Sequence, residues 1–120
     1  YSFLARRIEF CLENGIAKER IIVDPGIGFG KTPEHNRILM TQQRTLRGLG
    51  VPVLLGLSRK SIVGHLSGES RPEHRDNSSN LLAALGYLAG GNIFRVHDVK
   101  GACEALRVAK WWFKGMESTP

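Results

Sequence analysis

The stretch Ile21-Ile22-Val23-Asp24-Pro25-Gly26-Ile27-Gly28-Phe29-Gly30-Lys31-Thr32-Pro33 decides the fold. Its first three residues are β-branched and uninterrupted, the pattern of a short strand buried on both faces. Gly26, Gly28 and Gly30 then call for a loop, because glycine takes positive φ without steric cost. Thr32 followed by Pro33 announces a helix, with a hydroxyl to cap it and a proline where no N–H is needed. Strand, glycine loop and capped helix in immediate succession make a βα unit.

The unit recurs along the chain. Upstream, residues 2–14 read as a helix with Leu4, Ile8, Cys11 and Leu12 on one face and Asn14-Gly15 as the stop. The helix opened by Thr32 is expected over residues 33–47, ending at Gly48 to Gly50. Residues 53–57 form the second apolar run, followed by a short helix over 60–66 and a polar loop, 67–76. Asn77 or Ser78 is expected to cap the next helix, with Leu81, Leu82, Leu85 and Leu88 on its apolar face and Gly90-Gly91 at its end. Residues 93–96 give the third strand, and Asp98 caps a last helix with Ala102, Leu106, Ala109 and Phe113 on one face. The strands begin at 21, 53 and 93, intervals of 32 and 40 residues. Such spacing implies α/β architecture with parallel strands and right-handed crossovers.

Composition agrees with a globular domain: of 120 residues, 42% are hydrophobic and 23% charged. No run of roughly 20 apolar residues is available to span a bilayer, and no charged-then-apolar leader opens the chain. The chain starts at Tyr1 inside a helix, so sequence upstream of it is expected. Lys plus Arg number 17 against 11 Asp plus Glu, a net charge of +6. The cations are scattered rather than gathered on one stripe with aromatics, which disfavours nucleic acid as partner. The surplus does suit an anionic small molecule. Cys11 and Cys103 are far apart, each in an apolar helical stretch; two buried thiols in a reducing cytoplasm are expected, without structural-zinc spacing.

In parallel α/β folds chemistry gathers beyond the carboxyl ends of the strands. The three strands end in Asp24, in Ser58-Arg59-Lys60-Ser61, and in Arg95 with His97-Asp98. Each has a plain structural reading: Asp24 could tie down its loop, Asp98 could be only a helix cap, Lys60 and Arg59 could be solvated, and His97 could be a satisfied imidazole. Three consecutive strand ends converge in space, however, so a shared ligand site is the stronger reading. Arg95 interrupts an apolar strand and calls for a phosphate or carboxylate, and His97 follows it on the same side of an extended chain. The glycine loop is neither a P-loop nor a dinucleotide fingerprint, since its glycine spacing fits neither. Asp24 offers a hydrogen-bond acceptor for a heterocycle, and Phe29 a stacking edge.

Asp24-Pro25-Gly26-x-Gly28-Phe29-Gly30-Lys31, Ser58-Arg59-Lys60-Ser61 and Arg95-Val96-His97-Asp98, in this order and spacing, resemble the C-terminal half of the dihydropteroate synthase family. Phe3-Leu4-Ala5-Arg6-Arg7-Ile8-Glu9 resembles the helix before the first motif, so the likeness covers essentially the whole chain. The resemblance implies a (β/α)8 TIM barrel, of which residues 1–120 would be the C-terminal segment of one pterin-binding domain, with the N-terminal half absent. It implies a transferase of folate biosynthesis and target of sulfonamides, which joins p-aminobenzoate to a dihydropterin pyrophosphate and releases pyrophosphate. Carried over residue by residue, Asp24, Gly56, Lys60 and Arg95 would meet the pterin. Phe29, Lys60 and Ser61 would form the p-aminobenzoate pocket, and Arg95, His97 and Ser61 would hold pyrophosphate. Lys60, Arg95 and His97 would carry the chemistry. Asn77-Ser78-Ser79-Asn80 departs from the family, whose members often have Gly-Ser or Gly-Thr there. Magnesium is the implied cofactor, its asparagine ligand belonging to the N-terminal half; no metal ligand is expected in this chain.

Two other classes compete with this reading: a pterin- or corrinoid-linked methyltransferase sharing the barrel, and a non-catalytic remnant. A (β/α)8 barrel takes about 250 residues and eight strands, against three here. The isolated segment is therefore expected to be inactive, and to pair with the missing half-barrel or form a homodimer, with Trp111-Trp112-Phe113 as an apolar contact. Neither a membrane nor a nucleic acid is an expected partner, and the expected location is the cytoplasm.

Overall fold

The computed structural model describes residues 1–117, which form helices around a small, all-parallel sheet. The helices are α1 (Ser2–Glu13), α2 (Pro33–Thr41), α3 (Gln43–Arg47), α4 (Ser61–Ser67), α5 (Asp76–Leu88) and α6 (Val99–Glu117). Strand β1 (Leu54–Leu55) pairs in parallel with β2 (Ile93–Phe94), Leu54 opposite Ile93 and Leu55 opposite Phe94. Val23 adds one parallel bridge to Val53 on the other side of β1. The three apolar runs thus lie side by side in chain order, as their spacing implies.

The ladder is shorter than the runs. Residues 21–23 reduce to the Val23 bridge, 53–57 to a bridge and two strand residues, and 93–96 to two. Side chains end it. The Arg95 N–H still donates to the Leu55 carbonyl at 3.0 Å, but the next outward donor, His97 N–H, goes to Ser58 Oγ at 3.2 Å. At the first strand the Gly26 N–H turns back to Asp24 Oδ1 at 2.8 Å.

One face of the strands meets the helices. Ile21, Val23 and Val53 join Ile8, Leu46 and Val51 in one buried cluster, while Leu55 and Leu57 join Ile27, Ile62 and Val63 in another. The alternating residues occupy the opposite face. Ile22 comes first, then Asp24 level with Leu54 and Ile93, then Gly56 and Arg95, then Ser58 and His97. Ile22 is therefore exposed rather than buried, which corrects the expectation of a strand covered on both faces.

Other expectations are corrected. Helix 33–47 divides at Gln42 into α2 and α3. The N-cap of α5 is Arg75 rather than Asn77 or Ser78, because a 3-10 turn, Pro72–His74, feeds the helix directly and starts it at Asp76. The buried side of α5 is Ser79, Asn80, Ala83 and Gly86, whereas Leu81 and Leu85 are exposed. A small-residue face brings this helix close to the sheet: a Cβ on Gly86 would stand 2.5 Å from Leu55 Cδ1. Cys11 is half-buried and Cys103 exposed, not two buried thiols. Cys103 lies about 100° around α6 from the buried Ala102. The caps at Thr32 and Asp98 form as read: Thr32 Oγ1 accepts the His35 N–H at 3.2 Å, and Asp98 Oδ1 the Gly101 N–H at 3.1 Å.

Candidate functional site

The glycine loop is the first wall of the site. Gly26, Gly28 and Gly30 all take positive φ, at 74°, 83° and 58°. Side chains hold this loop. The buried Asn36 accepts the Gly28 N–H at 3.0 Å, and the Lys31 ammonium donates to the carbonyls of Gly26 (2.8 Å) and Phe29 (3.1 Å). Lys60 reaches across from the next βα unit, donates to the Ile27 carbonyl at 2.6 Å, and lies 4.6 Å above the Phe29 ring. That stacking is a cation–π contact. Burial pushes the Lys60 amine below the ordinary lysine range, with Arg95 and Lys31 adding to the fall and Asp24 opposing it.

Arg95 projects from the end of β2 over Gly56, with Nη2 3.6 Å from Asp24 Oδ2. Gly56 makes this crossing possible, since a Cβ there would stand 2.9 Å from Arg95 Cζ. The interfering atoms belong to the tip of a flexible side chain. Gly56→Ala is thus expected to displace the guanidinium from Asp24 while changing unfolding free energy by only about 1 kcal/mol. The Arg95 Nε resonance and a denaturant titration check both halves; a large stability loss with an unmoved resonance would show the backbone yielding instead.

His97 is oriented by Ser58, whose Oγ lies 2.9 Å from Nδ1 and accepts the backbone N–H of His97. With Nδ1 engaged, Nε2 is the ring nitrogen left to meet a ligand. The structure therefore unites Asp24, Gly56, Lys60, Arg95 and Phe29 around one opening, with His97 one register step further out. Ser61 is different: it begins α4 and lines a cleft with Gly28, Lys31, Asn36 and His65, which neither Arg95 nor His97 lines. Among the described residues no group of three His, Cys, Asp or Glu gathers to hold a metal.

Residues that sequence reasoning missed are mostly supports. Asn36 falls with Leu39, Met40 and Gln43 at the spacing of a buried helix face, and that pattern is its only sequence signal. Ser58 carries none beyond its place two residues after Gly56. Arg59 is not a solvated cation. Its fork pairs with Asp76 at 2.8 and 3.0 Å, holding the Asp76 carboxyl below the ordinary aspartate range.

Parallel βα units that present cations, a carboxylate and an aromatic ring at their carboxyl ends have the layout of the ligand sites of α/β proteins. Comparison gives the family. The family model described as "Pterin binding enzyme" matches residues 1–97, and the chain belongs to that family. It is 39% identical over 108 residues to the dihydropteroate synthase of Escherichia coli K12, covering 90% of this chain and 38% of that protein. It is 43% identical to that of Neisseria meningitidis serogroup B, covering 88% and 38%. Among solved structures it resembles the Xanthomonas albilineans dihydropteroate synthase in complex with 7,8-dihydropteroate, with TM-score 0.88, 40% identity, and coverage of 99% of this chain and 45% of that one. The Yersinia pestis enzyme in a sulfonamide drug complex gives TM-score 0.89 and 38% identity, covering 95% and 41%. The chain thus spans about two fifths of the length of the curated relatives it matches, and the strands described above are βα units of a TIM barrel.

Proposed function

We propose that this chain is the C-terminal part of a dihydropteroate synthase domain. The reaction joins p-aminobenzoate to the 6-hydroxymethyl-7,8-dihydropterin carried as its pyrophosphate ester. The C–O bond to pyrophosphate breaks, the arylamine nitrogen bonds to the freed methylene carbon, and the amine gives up one proton. Asp24 accepts hydrogen bonds from the pterin, which Gly56, Lys60 and Arg95 also meet, and Phe29 with the Lys60 stem walls the aminobenzoate. The motif assigns Ser61 to the same pocket and to pyrophosphate, although its side chain lines the neighbouring cleft with Gly28 and Lys31. Arg95 and His97 receive the charge that accumulates on the departing pyrophosphate, the kind of developing charge that preorganised donors stabilise. Magnesium is the proposed cofactor, with its ligand outside this chain. A cytoplasmic setting fits the two free thiols, and association with the rest of the barrel or with a second copy fits the exposed Trp111 and Trp112.

The observation that supports this reading best is the half-engaged Arg95. A direct charge-assisted pair sits at about 2.7–2.9 Å, whereas Asp24 aims the guanidinium from 3.6 Å. Its donors are oriented but still available to an anion. Calorimetry of the chain with inorganic pyrophosphate, then with a dihydropterin, tests it. Both are expected to bind. A chain that takes the pterin but ignores pyrophosphate overturns the dihydropteroate synthase reading in favour of a pterin-linked methyltransferase.

A further inference from the structure

The turn between β1 and α4 carries a backbone oddity. Arg59 has φ of 60°, a left-handed conformation in a residue with a full side chain, and such a conformation persists only where its surroundings enforce it. The enforcement comes from the start of α5. Ser79 Oγ, fully buried, accepts the Arg59 N–H at 3.0 Å while donating to the Arg75 carbonyl at 2.7 Å. Arg75 Nη1 donates to the Arg59 carbonyl at 2.9 Å, and Asp76 grips the Arg59 fork. The backbone N–H and carbonyl of Arg59 and two of its three guanidinium nitrogens are thus addressed from the start of α5. The next residue, Asn80, is turned about 100° around the helix. It is buried and donates from Nδ2 to Asp98 Oδ2 at 2.9 Å, and the other oxygen of that carboxylate caps α6 directly after His97.

We infer that the first turn of α5 is a positioning element for two functional turns at once, with Ser79 and Asp76 setting the peptide that aims Lys60 and Asn80 setting the segment that carries His97. None of these three side chains hydrogen-bonds Asp24, Lys60, Arg95 or His97, so each acts through a neighbour.

The inference rests on the ligand assignments proposed above, so its test separates the two. The chain is titrated with a dihydropterin, which reads Lys60, and with inorganic pyrophosphate, which reads His97. Ser79→Ala is expected to weaken the pterin about fivefold, the worth of one intramolecular hydrogen bond, and to leave pyrophosphate unchanged. Ser79→Thr restores the hydroxyl and is expected to recover the affinity. Asn80→Ala is expected to do the reverse, weakening pyrophosphate and sparing the pterin. Arg75→Lys, which withdraws the donor to the Arg59 carbonyl, is expected to repeat the Ser79→Ala pattern if that variant unfolds. Affinities that stay at wild-type values, or that fall together for both ligands, overturn the inference. Failure of the unmodified chain to bind pyrophosphate overturns the functional reading instead.

Discussion

Arg95→Ala is expected to weaken binding of inorganic pyrophosphate to this chain about 30-fold, near 2 kcal/mol, as loss of charge-assisted contacts would. The reasoning starts from position. Arg95 is held at the end of β2 by the ladder bond from its N–H to Leu55, so its Cα is fixed by the sheet. Its guanidinium crosses a glycine and is aimed by a carboxylate that does not saturate it. Removing it leaves His97 and the rim lysines, which supply charge without the planar fork that fits phosphate. Arg95→Lys is accordingly expected to recover only part of the loss. Calorimetry at constant ionic strength decides the matter, and an unchanged affinity for the alanine variant would remove Arg95 from the anion site.

A second large effect belongs to the core. Leu55→Ala is expected to cost about 3 kcal/mol of unfolding free energy, within the range of roughly 2–5 kcal/mol for buried leucine truncations. Leu55 is only 1% exposed, and its Cδ1 fills the space opposite Gly86 and Gly91. The glycines cannot follow a retreating side chain, so the cavity stays open. Against a total stability of about 5–15 kcal/mol for an ordinary domain, that is a large fraction. Leu81→Ala, at a leucine 61% exposed, is expected to change stability by less than about 0.5 kcal/mol. Urea titrations of the two variants compare them; equal losses would contradict the small-residue face assigned to α5.

That contrast also shows where the sequence was legible. The order of strands, their parallel direction and the caps at Thr32 and Asp98 could be read because β-branched runs and cap chemistry are local signals. The face of α5 could not. Periodicity points to the leucines, but contact distance to the sheet selects Ser79, Asn80, Ala83 and Gly86, and only the assembled layers reveal that distance. At the site, Asp24, Lys60, Arg95 and His97 were legible because charge at the end of an apolar run is conspicuous. Ser58, Asn36 and Ser79 were not, because a small polar residue announces nothing until its partner, tens of residues away for Ser58 and His97, is placed beside it. Ser61 matched the family motif, yet it lines a separate cleft.

The ammonium of Lys60 above the ring of Phe29 carries a consequence for molecular discrimination. That aromatic face is already shared with a cation, and Lys31 stands behind the same loop. A benzenoid guest bearing an ammonium group would meet like charge at close range, while one bearing a carboxylate would find it neutralised. On the function proposed above, the loop is expected to sort rings of equal size by the sign of their substituent, a filter that shape alone would not provide.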